Sequence, residues 1–109
     1  MSESDLSGRL TFVNTRFCDM LGYTRDELLR MRLVDITDSA DHPHVQARVD
    51  ALIQGGSHTQ VNKRYVCKNG ARLRVHERLS VIRDERGQPA SLLLLSFEPV
   101  EGEDAPQGM

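Results

Sequence analysis

The feature that most constrains this chain is a change of periodicity at Gly55-Gly56. Before it, apolar residues recur in short bursts at helical spacing; after it, they alternate at period two around tight turns. A chain of 109 residues is long enough for one modest core and too short for two. Both textures must therefore share that core, with helices laid on one face of an antiparallel sheet, and the fold class is α+β.

The second half is read most directly. Thr59 to Lys68 and Leu73 to Arg83 read as strands on either side of Asn69-Gly70, a tight hairpin signal. Along the latter strand Leu73, Val75, Leu79 and Val81 share one face, while Arg72, Arg74, His76 and Arg78 share the other. Glu77 is the one charged residue on the apolar face. Asp84 to Gly87 forms another turn, and Ala90 to Phe97 is a further strand. Its unbroken run from Leu92 to Leu95 predicts burial on both faces, as in the middle of a sheet.

The first half is more broken. Arg9 to Asn14 alternates and reads as a strand. Phe17, Met20 and Leu21 have helical spacing, and Gly22 stops that helix. Thr24 and Glu27 form a capping box for a second short helix with Leu28, Leu29 and Met31 on its buried side. Leu33 to Thr37 reads as a turn. Pro43 suits the first position of a third helix, whose apolar stripe is Val45, Val49, Leu52 and Ile53. Residues 101–109 lack apolar content and are predicted to be disordered, leaving a single domain over 1–100.

Charge and motifs narrow the function. The net charge is -2 with both signs interspersed, which argues against a nucleic-acid surface. The Leu92–Leu95 run is far too short to span a membrane, and the polar Met1 to Ser4 predicts no signal peptide. Cys18 and Cys67 read as unpaired thiols in a reducing, cytoplasmic setting. No nucleophile elbow, phosphate loop, dinucleotide fingerprint or zinc-protease motif occurs, so no enzyme is expected. The four histidines, His42, His44, His58 and His76, lack metal-ligand spacing.

Several short signatures stand in order. Asp5 to Leu10 fits a D-x-x-G-x-L turn, and Asn14 follows Arg9 by five residues. Leu21-Gly22-Tyr23-Thr24-Arg25-Asp26-Glu27-Leu28, Arg64 with Lys68-Asn69-Gly70, and Asp84 to Gly87 complete the set. Over roughly residues 5–98 the chain thereby resembles the PAS (Per-Arnt-Sim) family. The resemblance implies a nominally five-stranded antiparallel sheet with short helices on one face. Family members carry an apolar first strand before the D-x-x-G turn; only Met1 to Ser4 stand there, so that strand is expected to be short, missing or supplied by another chain. An open inner edge of that kind would favour association. The family's D-I-T exit triplet is replaced by Glu98-Pro99-Val100.

The resemblance further implies a sensory signalling module of the two-component type, working with an output domain or partner protein and as a homodimer. The residues expected to line its cavity are Phe12, Phe17, Leu21, Leu28, Ile36, Val49, Leu52, Val75, Leu79, Leu93 and Leu95, with Glu77 as the polar handle. Such a lining predicts a small apolar ligand or an empty cavity, and no cofactor. Two alternatives stand beside it: a ligand-free dimerisation module, and a heme-based gas sensor. In the latter, His44 would be the axial ligand, because it falls near the position that oxygen-sensing relatives use. The residues themselves favour exposed helix-entry histidines at His42 and His44, since His44 lies off the Val45/Val49/Leu52 stripe. Cys18 lacks the surroundings of the flavin-thiol photosensors and reads as a core thiol.

Overall fold

The computed structural model describes residues 1–98; the tail expected to be disordered lies outside the described residues. The elements run β1 (Ser2–Ser4), β2 (Leu10–Val13), α1 (Thr15–Leu21), α2 (Arg25–Leu28), two 3-10 turns (Leu33–Ile36 and Ser39–Asp41), α3 (His42–Gly55), β3 (His58–Val66), β4 (Arg72–Arg83) and β5 (Pro89–Phe97). The five strands form one antiparallel sheet in the order β2-β1-β5-β4-β3, so β5 is central, as its Leu run predicts.

Local chemistry fixes the connections. Asp5 and Asp84 open two copies of one turn: each carboxylate accepts backbone N–H groups from two and four residues ahead, at 2.9–3.0 Å. Each turn closes through a glycine at positive φ, Gly8 at 91° and Gly87 at 80°, where a side chain would be strained. Asn14 caps α1 through Phe17 N–H, and the Thr24–Glu27 capping box is fully formed.

The first strand is present and short. Ser2, Glu3 and Ser4 pair with β2 on one side and Leu94, Leu93 and Leu92 on the other, so the inner edge expected to be open is closed by the chain itself. Ser2 and Ser4 face inward and are fully buried, which is why no apolar signal marks the strand.

Two apolar clusters lie on the inner sheet face. One joins Leu10, Val13, Phe17, Leu21, Leu28, Ile36, Tyr65 and Val75 under α1 and α2. Within it Phe17 and Tyr65 meet edge-to-face, with ring centroids 5.6 Å apart. The other joins Leu52, Val61, Leu79, Leu92 and Leu94 beneath α3.

Three residues expected in the cavity lie on the opposite face. The register of the β1–β2 pair slips between Glu3 and Ser4 of β1, leaving Thr11 of β2 as an extra residue between Leu10 and Phe12. This bulge turns both Leu10 and Val13 inward and sets Phe12 outward, where it is 42% exposed. Leu93 and Leu95 pair with Ser80 and Arg78 on the outer face, while Leu92 and Leu94 point inward opposite Val81 and Leu79. A run of four leucines carries no phase of its own, and the pairing with β4 supplies it.

Candidate functional site

A cavity of about 480 Å³ opens between α3 and the inner face of the sheet. It exists because α3 does not lie flush. Leu52, near the helix end, is the one α3 side chain that is fully buried; Val45 and Val49 are half-buried and look across the gap. The other end of α3 is held at its entry. Asp41 accepts from Arg64 three times, at the backbone N–H (2.8 Å), Nε (3.2 Å) and Nη2 (3.1 Å), and Asp38 accepts from Arg72 Nε at 2.6 Å. The Arg64 guanidinium holds the Asp41 carboxyl below the usual carboxylate range, and at Asp38 the Ala40 N–H and then Arg72 do the same.

Leu33, Leu79, Leu92 and Leu94 with the two valines make the apolar part of the lining, and Leu6 to Gly8 stand at the edge. The polar residues of the lining are few: Ser7, Thr37, His42, Gln46, Lys63 and Glu77. An apolar pocket with a handful of convergent polar groups is the usual form of a small-ligand site.

Glu77 is fully buried, and its neighbours explain how. Lys63 Nζ stands 2.8 Å from Oε1, with both side chains almost wholly inaccessible. Tyr65 OH donates a short hydrogen bond to Oε2, and Ser96 Oγ donates to the same oxygen at 2.8 Å. Burial first, and the Glu77 carboxylate second, push the Tyr65 phenol well above its ordinary range, so it remains a donor. Lys63 Nζ also lies 4.5 Å from the Tyr65 ring centroid and 3.4 Å from Thr37 Oγ1. A buried charge needs a partner and hydrogen bonds: Lys63 and Glu77 are each other's ion-pair partners, and the hydrogen bonds to Glu77 come from Tyr65 and Ser96.

Of the residues expected to line the cavity, the structure brings Val49, Glu77 and Leu79 to it. Leu52 packs beside it, with Leu79, Leu92 and Leu94. Phe17, Leu21, Leu28, Ile36 and Val75 are packed in the filled cluster instead, and Phe12, Leu93 and Leu95 face the other way. Lys63 is the functional candidate that sequence reasoning missed. The signal was available: with the hairpin register set by Asn69-Gly70, Val61, Lys63 and Tyr65 fall on the inner face, with Lys63 diagonal to Glu77.

The histidines do not fit an axial-ligand role. His44 lies outside the lining with a half-exposed side chain, its Nε2 3.1 Å from the Asn62 carbonyl. His42 does border the cavity, but its Nε2 is taken by the carbonyls of Thr37 (2.9 Å) and Val34 (3.1 Å). Cys18 is buried in the filled cluster, as a core thiol would be. Among the described residues no cluster of His, Cys, Asp or Glu could hold a metal ion, and no helix is long and apolar enough to cross a membrane.

Comparison with known proteins agrees with this architecture. The sensor histidine kinase TmoS of Ectopseudomonas mendocina is 24% identical over 103 residues, covering 94% of this chain and 11% of its own length. The chain thus spans only about a tenth of that relative (11%). A PAS domain from Colwellia psychrerythraea superposes with a TM-score of 0.82 at 16% identity, covering 92% of this chain and 86% of that one. A variant of the Drosophila melanogaster Cycle PAS-B domain with bound glycerol gives 0.81 at 12% identity, over 87% of this chain and 94% of that one. Identities this low speak for the fold alone. The model of the PAS fold family matches residues 10–94, most of the chain, and with the five-stranded sheet and its helices this places the protein in the PAS fold family.

Proposed function

We propose that this domain is a non-catalytic sensory module that binds a small ligand in the cavity beneath α3 and relays its presence to a signalling partner. The observation that carries the reading is the cavity itself: about 480 Å³, mostly apolar, with a buried Lys63–Glu77 pair on its wall. At about 30 Å³ per atom, the share a water molecule takes in the liquid, that space suits roughly fifteen non-hydrogen atoms. Homology to a segment of a sensor histidine kinase supports the signalling context.

The same wall offers a route outward. Ser96, which donates to Glu77, is the last inward-facing residue of β5, and β5 ends at Phe97. A ligand that moves Glu77 therefore acts on the end of the central strand. On the outer face Phe12, Ile82 and Phe97 are 42%, 38% and 50% exposed, and an apolar surface of this kind suits a second copy of the domain as the receiving element.

Titration with ethylbenzene, followed by leucine methyl NMR, tests the cavity. Saturable shifts at Leu79, Leu92 and Leu94 are expected in the native domain and none in Val49→Trp, whose indole fills the space. Unshifted methyls in the native domain would remove the ligand-binding reading.

A further inference from the structure

The lining of the cavity divides by depth into an apolar floor and a polar rim. Leu79, Leu92 and Leu94 form the floor, each at most 1% exposed. The polar side chains buried beside them are engaged within the protein. Lys63 and Glu77, 1% and 0% accessible, hold each other at 2.8 Å, and Thr37 Oγ1 donates to the Leu33 carbonyl at 2.8 Å. A ligand that reaches the floor therefore meets carbon.

The rim is built differently. It runs from the Asp5 turn through the first 3-10 turn to the start of α3. Leu33 N–H donates to the Gly8 carbonyl at 2.8 Å, and His42 Nε2 stands 3.1 Å from the Val34 carbonyl, which joins the three segments. Leu6, Ser7, Val34, Pro43 and Gln46 line the cavity here and are exposed. Ser7 Oγ gives its hydrogen to Asp5 Oδ1 at 2.6 Å and keeps its lone pairs. Gln46 Nε2 donates to Asp50 Oδ1 at 2.8 Å; a carboxylate only accepts, so this contact fixes which end of the amide is Oε1 and leaves that oxygen as an acceptor.

From this division we infer that the ligand is a single-chain alcohol bound end-on, its aliphatic body on the leucine floor and its terminal hydroxyl at the rim, donating to Ser7 Oγ or Gln46 Oε1. The inference rests on the ligand-binding reading above. The space is sufficient: at roughly 30 Å³ per atom an eight-carbon alcohol takes about 270 Å³, within the 480 Å³ of the cavity. A hydroxyl carried down to the floor would exchange water for no partner, whereas one left at the rim keeps both water and an acceptor. The first carbons of the chain would cover Leu6 and Val34, which are 36% and 48% exposed. A carboxylate head has no hydrogen to give these acceptors and would stand beside the Asp5 carboxylate that Ser7 holds.

The test titrates 1-octanol, its isomer 4-octanol and octanoate into the methyl-labelled domain, and reads affinity and intermolecular NOEs together. 1-Octanol is expected to bind about tenfold more tightly than either of the others. Its terminal methyl should show NOEs to Leu92 and Leu94, and its carbinol protons to Leu6 and Val34. Ser7→Ala/Gln46→Met, two exposed positions, is expected to weaken 1-octanol about threefold and to leave ethylbenzene unchanged. Carbinol NOEs to the floor leucines would overturn the end-on arrangement, as would equal affinity of the two isomers. Octanoate binding as tightly as 1-octanol would overturn the hydroxyl head, and unchanged 1-octanol affinity in the double variant would overturn the part given to Ser7 and Gln46. Saturable binding of ethylbenzene with none of 1-octanol would reject this ligand class while leaving the sensory cavity standing, whereas failure of all four probes would remove both.

Discussion

Under α1 and α2 the inner sheet face is sealed; under α3 it is open. Both regions belong to one sheet, and both are faced by helices. They differ in what sets the height of the helix. The two short helices are drawn down by large side chains, Phe17, Leu21 and Leu28, each at most 1% exposed. The long helix is set by polar attachments at its start, Asp41 to Arg64 and Asp38 to Arg72, and by Leu52 near its end. Between those supports the apolar side chains that look across to the sheet are the valines Val45 and Val49, and they are too small to close the gap. A cavity arises here without any special residue, because ionic tethers fix the helix at a height that the intervening side chains cannot fill.

If this contrast is right, truncation in the sealed region costs far more than truncation in the open one. Phe17→Ala is expected to lose about 3–5 kcal/mol of unfolding free energy in urea melts, since its site is tightly lined. Val49→Ala is expected to lose under about 1 kcal/mol, because its side chain already borders empty space. Comparable losses at the two sites would show that α3 collapses onto the sheet in solution.

The buried pair on the boundary should break differently. Lys63→Met alone leaves Glu77 buried and uncompensated, and is expected to cost about 3–5 kcal/mol. Lys63→Met/Glu77→Leu removes both charges and should recover much of that loss in the same urea melts. A double variant as unstable as the single one would mean that the pair contributes through shape and not through charge.

How much of this was legible in the sequence depended on whether a residue's neighbours were local. The turns at Asp5 and Asp84, the Thr24–Glu27 box and the Asn69-Gly70 hairpin were readable because each involves residues a few positions apart. Glu77 stood out because its own strand alternates cleanly around it. The misses of orientation within the sheet needed a partner strand. The bulge at Thr11 that turns Phe12 outward, the phase of the Leu92–Leu95 run and the inward serines of β1 are each set by pairing across the sheet. The openness of the cavity was the least legible property, because a stripe of valines looks the same on a helix that is packed and on one that is held off.

The tethers predict a pH effect on the open region. Asp41 has its folded pKa depressed by Arg64, so the stability it contributes is present above the unfolded value near 3.8 and is lost as pH falls below that. The melting temperature of the native domain should therefore fall more steeply between about pH 4 and pH 2.5 than that of Asp41→Asn. At pH 7 the substitution is expected to cost about 1–2 kcal/mol, because it replaces charge-assisted bonds by neutral ones. Parallel acid profiles would show that α3 owes its height to packing.

The smallest effect is the most discriminating. Enlarging a side chain in a filled core forces its neighbours out of their rotamers, and Val75→Leu, at a site 2% exposed, is expected to cost about 1–3 kcal/mol. The same change at Val49 adds a methylene towards open space and removes apolar surface from water. Val49→Leu should therefore lie within about 0.5 kcal/mol of the native domain or slightly above it, since no neighbour has to move. Urea melts of the two variants apply one chemical change to the two halves of one sheet face. A penalty at Val49 matching that at Val75 would mean that the gap beneath α3 is closed in solution. A neutral or favourable result would show that the space is real and free to be occupied.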